Sequence, residues 1–117
     1  MKIYTYKKCS TCQNAIKFLK KHQIEFIEMP IRETPPSEAD CLKLLESLDN
    51  EKKAFNVSGQ DYRSLGLKDK INNLSSIQKA KLLSSNGNLI KRPVVFNEND
   101  CWVGFNEDIW KQNLAIF

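Results

Sequence analysis

The sequence has few of the residues that break or cross-link a chain. It contains 4 Gly, 4 Pro and 4 Cys among 117 residues, which excludes collagen-like, linker-rich and low-complexity proteins. No apolar run approaches the roughly 20 residues that a membrane-spanning helix requires. The first residues include lysine but lack the apolar segment of a secretion signal. We therefore expect a cytoplasmic protein that does not enter a membrane.

Arginine is also scarce, because all but three of the 18 basic residues are lysine. Proteins that read DNA bases usually rely on arginine forks and a clustered basic face. We expect the lysines of this chain to alternate with acidic residues over a solvated surface. We therefore expect no direct binding to nucleic acid. Only arginine presents a planar fork that binds an oxyanion through two bonds. Arg32, Arg63 and Arg92 are therefore each worth examining.

The hydrophobic fraction of 41% and the charged fraction of 27% are typical of a soluble globular protein. A chain of this length suffices for one hydrophobic core but not for two. We expect a single domain over residues 1–117, present as a monomer.

The residue pattern alternates strand and helix signals in both halves of the chain. Aromatic and β-branched residues predict a strand over 3–6, Ser10 or Thr11 is expected to cap a helix that ends near residue 22, and a second strand is expected over 24–29. Capped helices follow over approximately 37–86, and then a hairpin and a last helix. This β-α-β … β-β-α order predicts an α/β, thioredoxin-like fold with a helical segment inserted between its halves.

Cys9 and Cys12 lie where the first predicted strand meets the first predicted helix. The helix N-terminus and the neighbouring Lys7 and Lys8 all favour a thiolate there. The two-residue spacing allows the second thiol to resolve a mixed disulfide. We predict that Cys9 attacks as a thiolate and that Cys12 resolves.

Two other interpretations of the cysteines remain open. A zinc site would need further ligands at regular spacing, but Cys41, Cys101 and His22 are scattered along the chain. The CxxC cysteines could also be small buried hydrophobic residues. That second interpretation is the preferred one for Cys41 and Cys101. We expect no bound metal.

A second candidate group is Arg92 followed by Pro93, just before an apolar strand. An Xaa-Pro bond in this position is a natural place for a cis peptide, and Arg92 could direct its guanidinium toward an anion near Cys9. The alternative is an ordinary surface arginine before an edge strand.

The chain resembles the arsenate-reductase-like family of the thioredoxin fold, which includes ArsC-type reductases and the Spx transcriptional regulators. The resemblance covers nearly the whole chain, and its stretches are residues 9–12, 30–36, 55–63, 89–94 and 103–107. It implies that Cys9 is the reactive cysteine and that Arg92 is an anion-binding arginine before a cis Pro93. It also suggests Arg63 as a further oxyanion ligand. Lys8 and Ser10 flank Cys9 and complete the predicted substrate-binding set.

Two departures from the family pattern affect the expected activity. Arsenate reductases of the plasmid type carry a further arginine near the final hairpin, where this chain has Val103, Gly104 and Phe105. The second cysteine, Cys12, is a feature of Spx-like members, whereas the stretch 58–63 looks more like the reductases.

The resemblance implies a cytosolic thiol–disulfide oxidoreductase that acts on small-molecule or protein thiols and disulfides. It would hold no bound cofactor and would take electrons from glutathione or thioredoxin, with Arg92 holding an anionic substrate. The alternatives are an Spx-like redox regulator that binds the RNA polymerase α subunit, a true arsenate reductase, or a member that has lost its chemistry.

Overall fold

The computed structural model describes residues 1–116 and contains a four-stranded mixed sheet. Its strands are β1 (Lys2–Thr5), β2 (Ile27–Pro30), β3 (Val94–Asn97) and β4 (Asp100–Val103). The strand order is β2-β1-β3-β4. β1 and β2 run parallel, while β3 is antiparallel to both β1 and β4. This arrangement confirms the predicted parallel crossover and hairpin.

Within residues 1–116, six α-helices and three short 3₁₀ turns pack around the sheet. The helices are α1 (Ser10–Lys21), α2 (Glu38–Ser47), α3 (Gln60–Ser64), α4 (Leu67–Lys70), α5 (Ser76–Ser85) and α6 (Glu107–Asn113). The turns are Glu51–Ala54, Ile71–Asn73 and Gly87–Leu89. α1 connects the parallel strands, and α2 to α5 lie between β2 and β3. The fold is therefore thioredoxin-like, with helices inserted between its halves as the sequence predicted.

The two faces of the sheet bury different parts of the chain. Ile3 and Val95 face a core that includes Trp110 and the apolar side of α1. Tyr4 and Val94 face the opposite core, which the inserted helices complete. The alternation follows from the two-residue period of a strand. It places the sheet between α1 and α6 on one side and the inserted helices on the other.

Most helix starts are where the sequence indicates them. Ser37 caps α2, and Ser75 caps α5 with a reciprocal bond to the Gln78 side chain. Asn106 caps α6 through a 3.0 Å bond from the Ile109 amide. None of the helices over residues 1–116 is both long enough and apolar enough to cross a bilayer.

Two predicted boundaries were wrong. α1 is capped by Cys9 rather than by Ser10 or Thr11, because Cys9 has extended backbone angles and its sulfur accepts the Cys12 amide. β2 begins at Ile27 rather than near residue 24. The preceding residues still close the helix: Ile24 donates its amide to Leu19, and Gln23 has a φ of 57°. They are therefore not free to join the sheet.

Candidate active site around Cys9 and Cys12

Cys9 sits in a tight turn between β1 and α1. Its amide donates to the Tyr6 carbonyl at 3.0 Å, and its half-buried Sγ accepts the Cys12 backbone N–H at 3.2 Å. The turn therefore directs a backbone N–H at the Cys9 sulfur, which lies at the N-terminal end of α1.

Cys12 lies one turn into α1 and is almost fully buried, with 2% of its surface exposed. Burial raises the pKa of the Cys12 thiol to about 12, and its hydrogen bond with Cys9 acts in the same direction. The positive charge of Arg92 opposes this shift. Cys12 is thus a protonated thiol at neutral pH that is in contact with Cys9.

Arg92 and Pro93 lie beside this turn, at the start of β3. The Arg92–Pro93 peptide bond is cis, as its position before an apolar strand suggested. Pro93 is buried, and its carbonyl accepts the Gly104 amide at 2.8 Å. The Arg92 guanidinium carbon lies 4.7 Å from the centre of the Tyr6 ring. The ring of Tyr6 thus holds a cation, and the charge of Arg92 reaches the Cys12 thiol.

Arg32 is a site residue that the sequence analysis did not predict. Its guanidinium carbon lies 5.0 Å from the centre of the same Tyr6 ring, and its Nη1 donates to the Tyr6 hydroxyl at 2.9 Å. Arg32 is exposed, whereas Arg92 is half-buried. The scarcity of arginine and the family resemblance of residues 30–36 were the only signals that could have indicated it.

The two guanidiniums line one small cavity of about 200 Å³. The other lining residues are polar or small, except for the Tyr6 ring: Tyr6, Asn56, Gly59, Gln60, Asp61 and Asn88. Hydrogen bonds from the Asn86 and Asn88 side chains hold the pKa of Asp61 below its ordinary value. Asp61 is therefore ionised at neutral pH, and two positive charges face one negative charge. The cavity suits a small anionic group.

Arg63 does not line this cavity, although Gln60 and Asp61 from the same helix do. Its side chain is exposed, and its Nη2 donates to the Ser58 carbonyl at 3.1 Å. The structure thus brings Arg32, rather than Arg63, beside Arg92.

Lys8 and Ser10 flank Cys9 as the sequence requires, and both are exposed. Lys8 lines a larger cavity, of about 540 Å³, together with Lys7, Tyr6 and Arg32. Ser10 is the first residue of α1. Of these two predicted binding residues, Lys8 therefore faces a cavity that Arg32 shares.

The remaining cysteines line none of the cavities beside this turn. Cys41 is fully buried in α2, and burial raises the pKa of its thiol to about 12. This agrees with its interpretation as a small hydrophobic residue. Cys101 is half-buried in β4, and His22 stacks against Phe18 at 4.5 Å. Within residues 1–116, no group of three or more His, Cys, Asp or Glu side chains is arranged to hold a metal ion.

Comparisons with known proteins find relatives over most of the chain. The chain is 42% identical over 113 residues to the uncharacterized protein YusI of Bacillus subtilis, covering 96% of both chains. A crystal structure described as a possible arsenate reductase from Streptococcus mutans matches with a TM-score of 0.86 and 41% identity, over 92% of this chain and 95% of that one. The global transcriptional regulator Spx of Streptococcus agalactiae is 27% identical over 101 residues, 86% of this chain and 72% of Spx.

The match extends beyond individual relatives to a family as a whole. The sequence model of the ArsC family matches residues 4–113, a range that contains the CxxC turn, both cavity arginines and the cis proline. Together with the fold, this match shows that the chain belongs to the ArsC family.

Proposed function

We propose that this protein is a cytosolic thiol–disulfide oxidoreductase in which Cys9 attacks and Cys12 resolves. The observation that carries the proposal is the Cys9 sulfur at the start of α1, which accepts the Cys12 amide at 3.2 Å and lies against a buried thiol. One sulfur is placed for attack, and the other is kept protonated until it is needed. Such a division of roles is what a two-cysteine exchange reaction requires.

The reaction has two exchange steps. The Cys9 thiolate attacks one sulfur of a substrate disulfide, which forms a mixed disulfide and releases the other substrate sulfur as a thiolate that takes up a proton. Cys12 then loses its proton and attacks the Cys9 sulfur, which releases the second substrate thiol. Two electrons pass from the cysteine pair to the substrate, leaving a Cys9–Cys12 disulfide. A thioredoxin-type dithiol, or two molecules of glutathione, returns two electrons and restores both thiols.

The arginine cavity supplies the anion-binding part of this function. A carboxylate or oxyanion in the cavity would meet Arg92 and Arg32, both stacked on Tyr6. Charge-assisted hydrogen bonds to guanidinium groups are stronger than hydrogen bonds between neutral groups, and they fix the orientation of the ligand. We assign to this cavity the carboxylate of glutathione or of another anionic substrate.

A redox-sensing regulator is the second candidate, and the similarity to Spx favours it. In that case the Cys9–Cys12 disulfide would be a switch, and the RNA polymerase α subunit would be the partner. The two candidates differ in turnover: an oxidoreductase reduces many substrate molecules per protein, whereas a regulator needs only to change its own state. Capture of the α subunit without turnover would favour the regulator.

Steady-state reduction of a small disulfide, coupled either to glutathione or to a thioredoxin system, tests the proposal. We expect turnover with at least one reductant. With glutathione, Arg92→Ala should raise KM about 10- to 100-fold, because a charge-assisted hydrogen bond contributes about 1.5–3 kcal/mol. Arg32→Ala should have a smaller effect because Arg32 is exposed, and Arg63→Ala the smallest of the three. Absence of turnover with both reductants would contradict the proposal.

A further inference from the structure

Residues 7–21, which form the CxxC turn and α1, carry a concentration of positive charge. This segment contains five lysines and no acidic residue. Five charges exceed the net charge of +4 of the whole chain, so the other residues together carry one net negative charge. The expected alternation of lysines with acids is therefore wrong for this segment, which is the one that carries both active-site cysteines.

These five residues form what we call the lysine face: Lys7, Lys8, Lys17, Lys20 and Lys21. All five are exposed. The ion pairs formed among residues 1–116 are Lys53–Asp49 and Lys79–Glu51, and neither involves the lysine face. Within residues 1–116, no ion pair neutralises these lysines, so their charges are available to a binding partner.

The lysine face borders a groove that reaches the resolving cysteine. The groove has a volume of about 330 Å³, and Cys12 and Ile16 are among its lining residues. Three lysines of the face also line it, Lys7, Lys17 and Lys20. Lys17 and Lys20 lie on the same side of α1, since residues three apart are neighbours on a helix. The groove therefore combines apolar and sulfur atoms with a cationic border.

One acidic residue, Glu28, also lines this groove. The Thr5 hydroxyl donates to its carboxylate at 2.6 Å, so the sheet holds this negative charge against Thr5. It offsets one positive charge and leaves the groove with an excess of cations.

Helix stability accounts for only part of this charge. Lys20 and Lys21 are in the last turn of α1, where cations interact favourably with the helix dipole. Lys7 and Lys8 precede the helix, and the dipole disfavours cations there. Lys17 lies outside the terminal turn. A structural role within α1 therefore leaves three of the five lysines unexplained.

We propose that the lysine face docks an acidic peptide segment of a protein disulfide substrate, beside Cys9 and Cys12. This inference rests on the proposed oxidoreductase function and names its substrate class. Opposite charge raises the association rate of such a segment, and the groove brings it to the cysteine pair. A nucleic acid is the weaker fit, because the segment lacks arginine and its groove is lined with apolar and sulfur atoms.

Single-turnover reduction of three peptides tests the rate prediction. Each peptide carries one cysteine in a mixed disulfide with thionitrobenzoate, flanked by glutamates, serines or lysines. At low ionic strength the reduced protein should react at least about tenfold faster with the acidic than with the basic peptide, and salt should narrow this difference. Lys17→Glu/Lys20→Glu should abolish or reverse the preference. The matched control Lys68→Glu/Lys81→Glu, which changes two exposed lysines of the inserted helices by the same charge, should keep it.

A binding measurement makes the docking inference independent of the chemistry. The Cys9→Ser/Cys12→Ser variant is titrated with the labelled acidic peptide, the basic peptide and a single-stranded RNA, and anisotropy is followed. The acidic peptide should bind best, and Lys17→Glu/Lys20→Glu should weaken its binding at least about tenfold. Equal binding of the two peptides, or tighter binding of the RNA, would overturn the inference. Equal reduction of all three peptides would overturn docking while leaving the oxidoreductase function intact, whereas reduction of none would contradict that function itself.

Discussion

Replacing Cys9 by serine should abolish disulfide reduction, whereas replacing Cys12 should stop the reaction halfway. We expect Cys9→Ser to lower the rate at least about 10⁴-fold, because removal of a nucleophile leaves only binding and polarisation. Cys12→Ser retains the attacking sulfur but lacks the neighbouring thiol. Without added glutathione or another thiol, nothing then releases the bound substrate. It should accumulate as a mixed disulfide at Cys9.

Burial of Cys12 explains why this trapping is expected at neutral pH. Because the pKa of the Cys12 thiol is raised to about 12, Cys12 carries little thiolate in the reduced protein near neutral pH. Near neutral pH, Cys9 should therefore be the thiol that attacks the substrate. The Cys12→Ser variant should then form the mixed disulfide at the initial rate of the wild-type protein. Intact mass after reaction with a cysteine-peptide disulfide measures the adduct. Cys101→Ser is the control, since that half-buried thiol has no assigned role. A mixed disulfide at Cys12 in the Cys9→Ser variant, formed at the wild-type rate, would reverse the two roles.

Arsenate should be a poor substrate despite the family to which the chain belongs. Reduction of arsenate requires donors around a tetrahedral oxyanion while it bonds to the cysteine sulfur. The start of α1 provides N–H groups, and Arg92 and Arg32 provide two guanidiniums. The family resemblance implies a further arginine near the final hairpin, but this chain has Val103, Gly104 and Phe105 there.

The structure shows what occupies that hairpin region instead. Val103 pairs with Val94 in the sheet, the Gly104 amide is used by the Pro93 carbonyl, and the Phe105 ring packs at 5.0 Å from the Trp110 ring. Loss of one well-aimed transition-state donor costs about 10²–10³-fold in rate. We expect turnover with arsenate at most about one-hundredth of that of a genuine arsenate reductase, measured with the same reductant. Comparable turnover would contradict this expectation.

Local signals in the sequence were sufficient to predict most of the helices and strands. Apolar residues of α1 recur at helical spacing, and the strong capping residues Ser37, Ser75 and Asn106 lie directly before α2, α5 and α6. The start of β2 could not be predicted this way. Residues after α1 have strand-like side chains, yet their amides are still bound to the helix.

The arginine cavity could not be predicted from local sequence, because tertiary contacts bring its residues together. Arg32 meets Tyr6 across 26 positions of sequence, and no local period links them. Arg63 was suggested by the family resemblance, but its guanidinium is directed at the Ser58 carbonyl. The sequence alone shows the cluster of lysines. Which of them line the groove beside Cys12 depends on the side of α1 that each one occupies, and this required the structure.

The most direct test of the account is the identity of the disulfide that forms on mild oxidation. The oxidised protein is alkylated under denaturing conditions without reductant, digested and mapped by mass spectrometry. The account predicts one intramolecular bridge between Cys9 and Cys12, with Cys41 and Cys101 recovered as alkylated thiols. A dominant bridge that includes Cys41 or Cys101, or oxidation that leaves Cys9 and Cys12 unlinked, would contradict it.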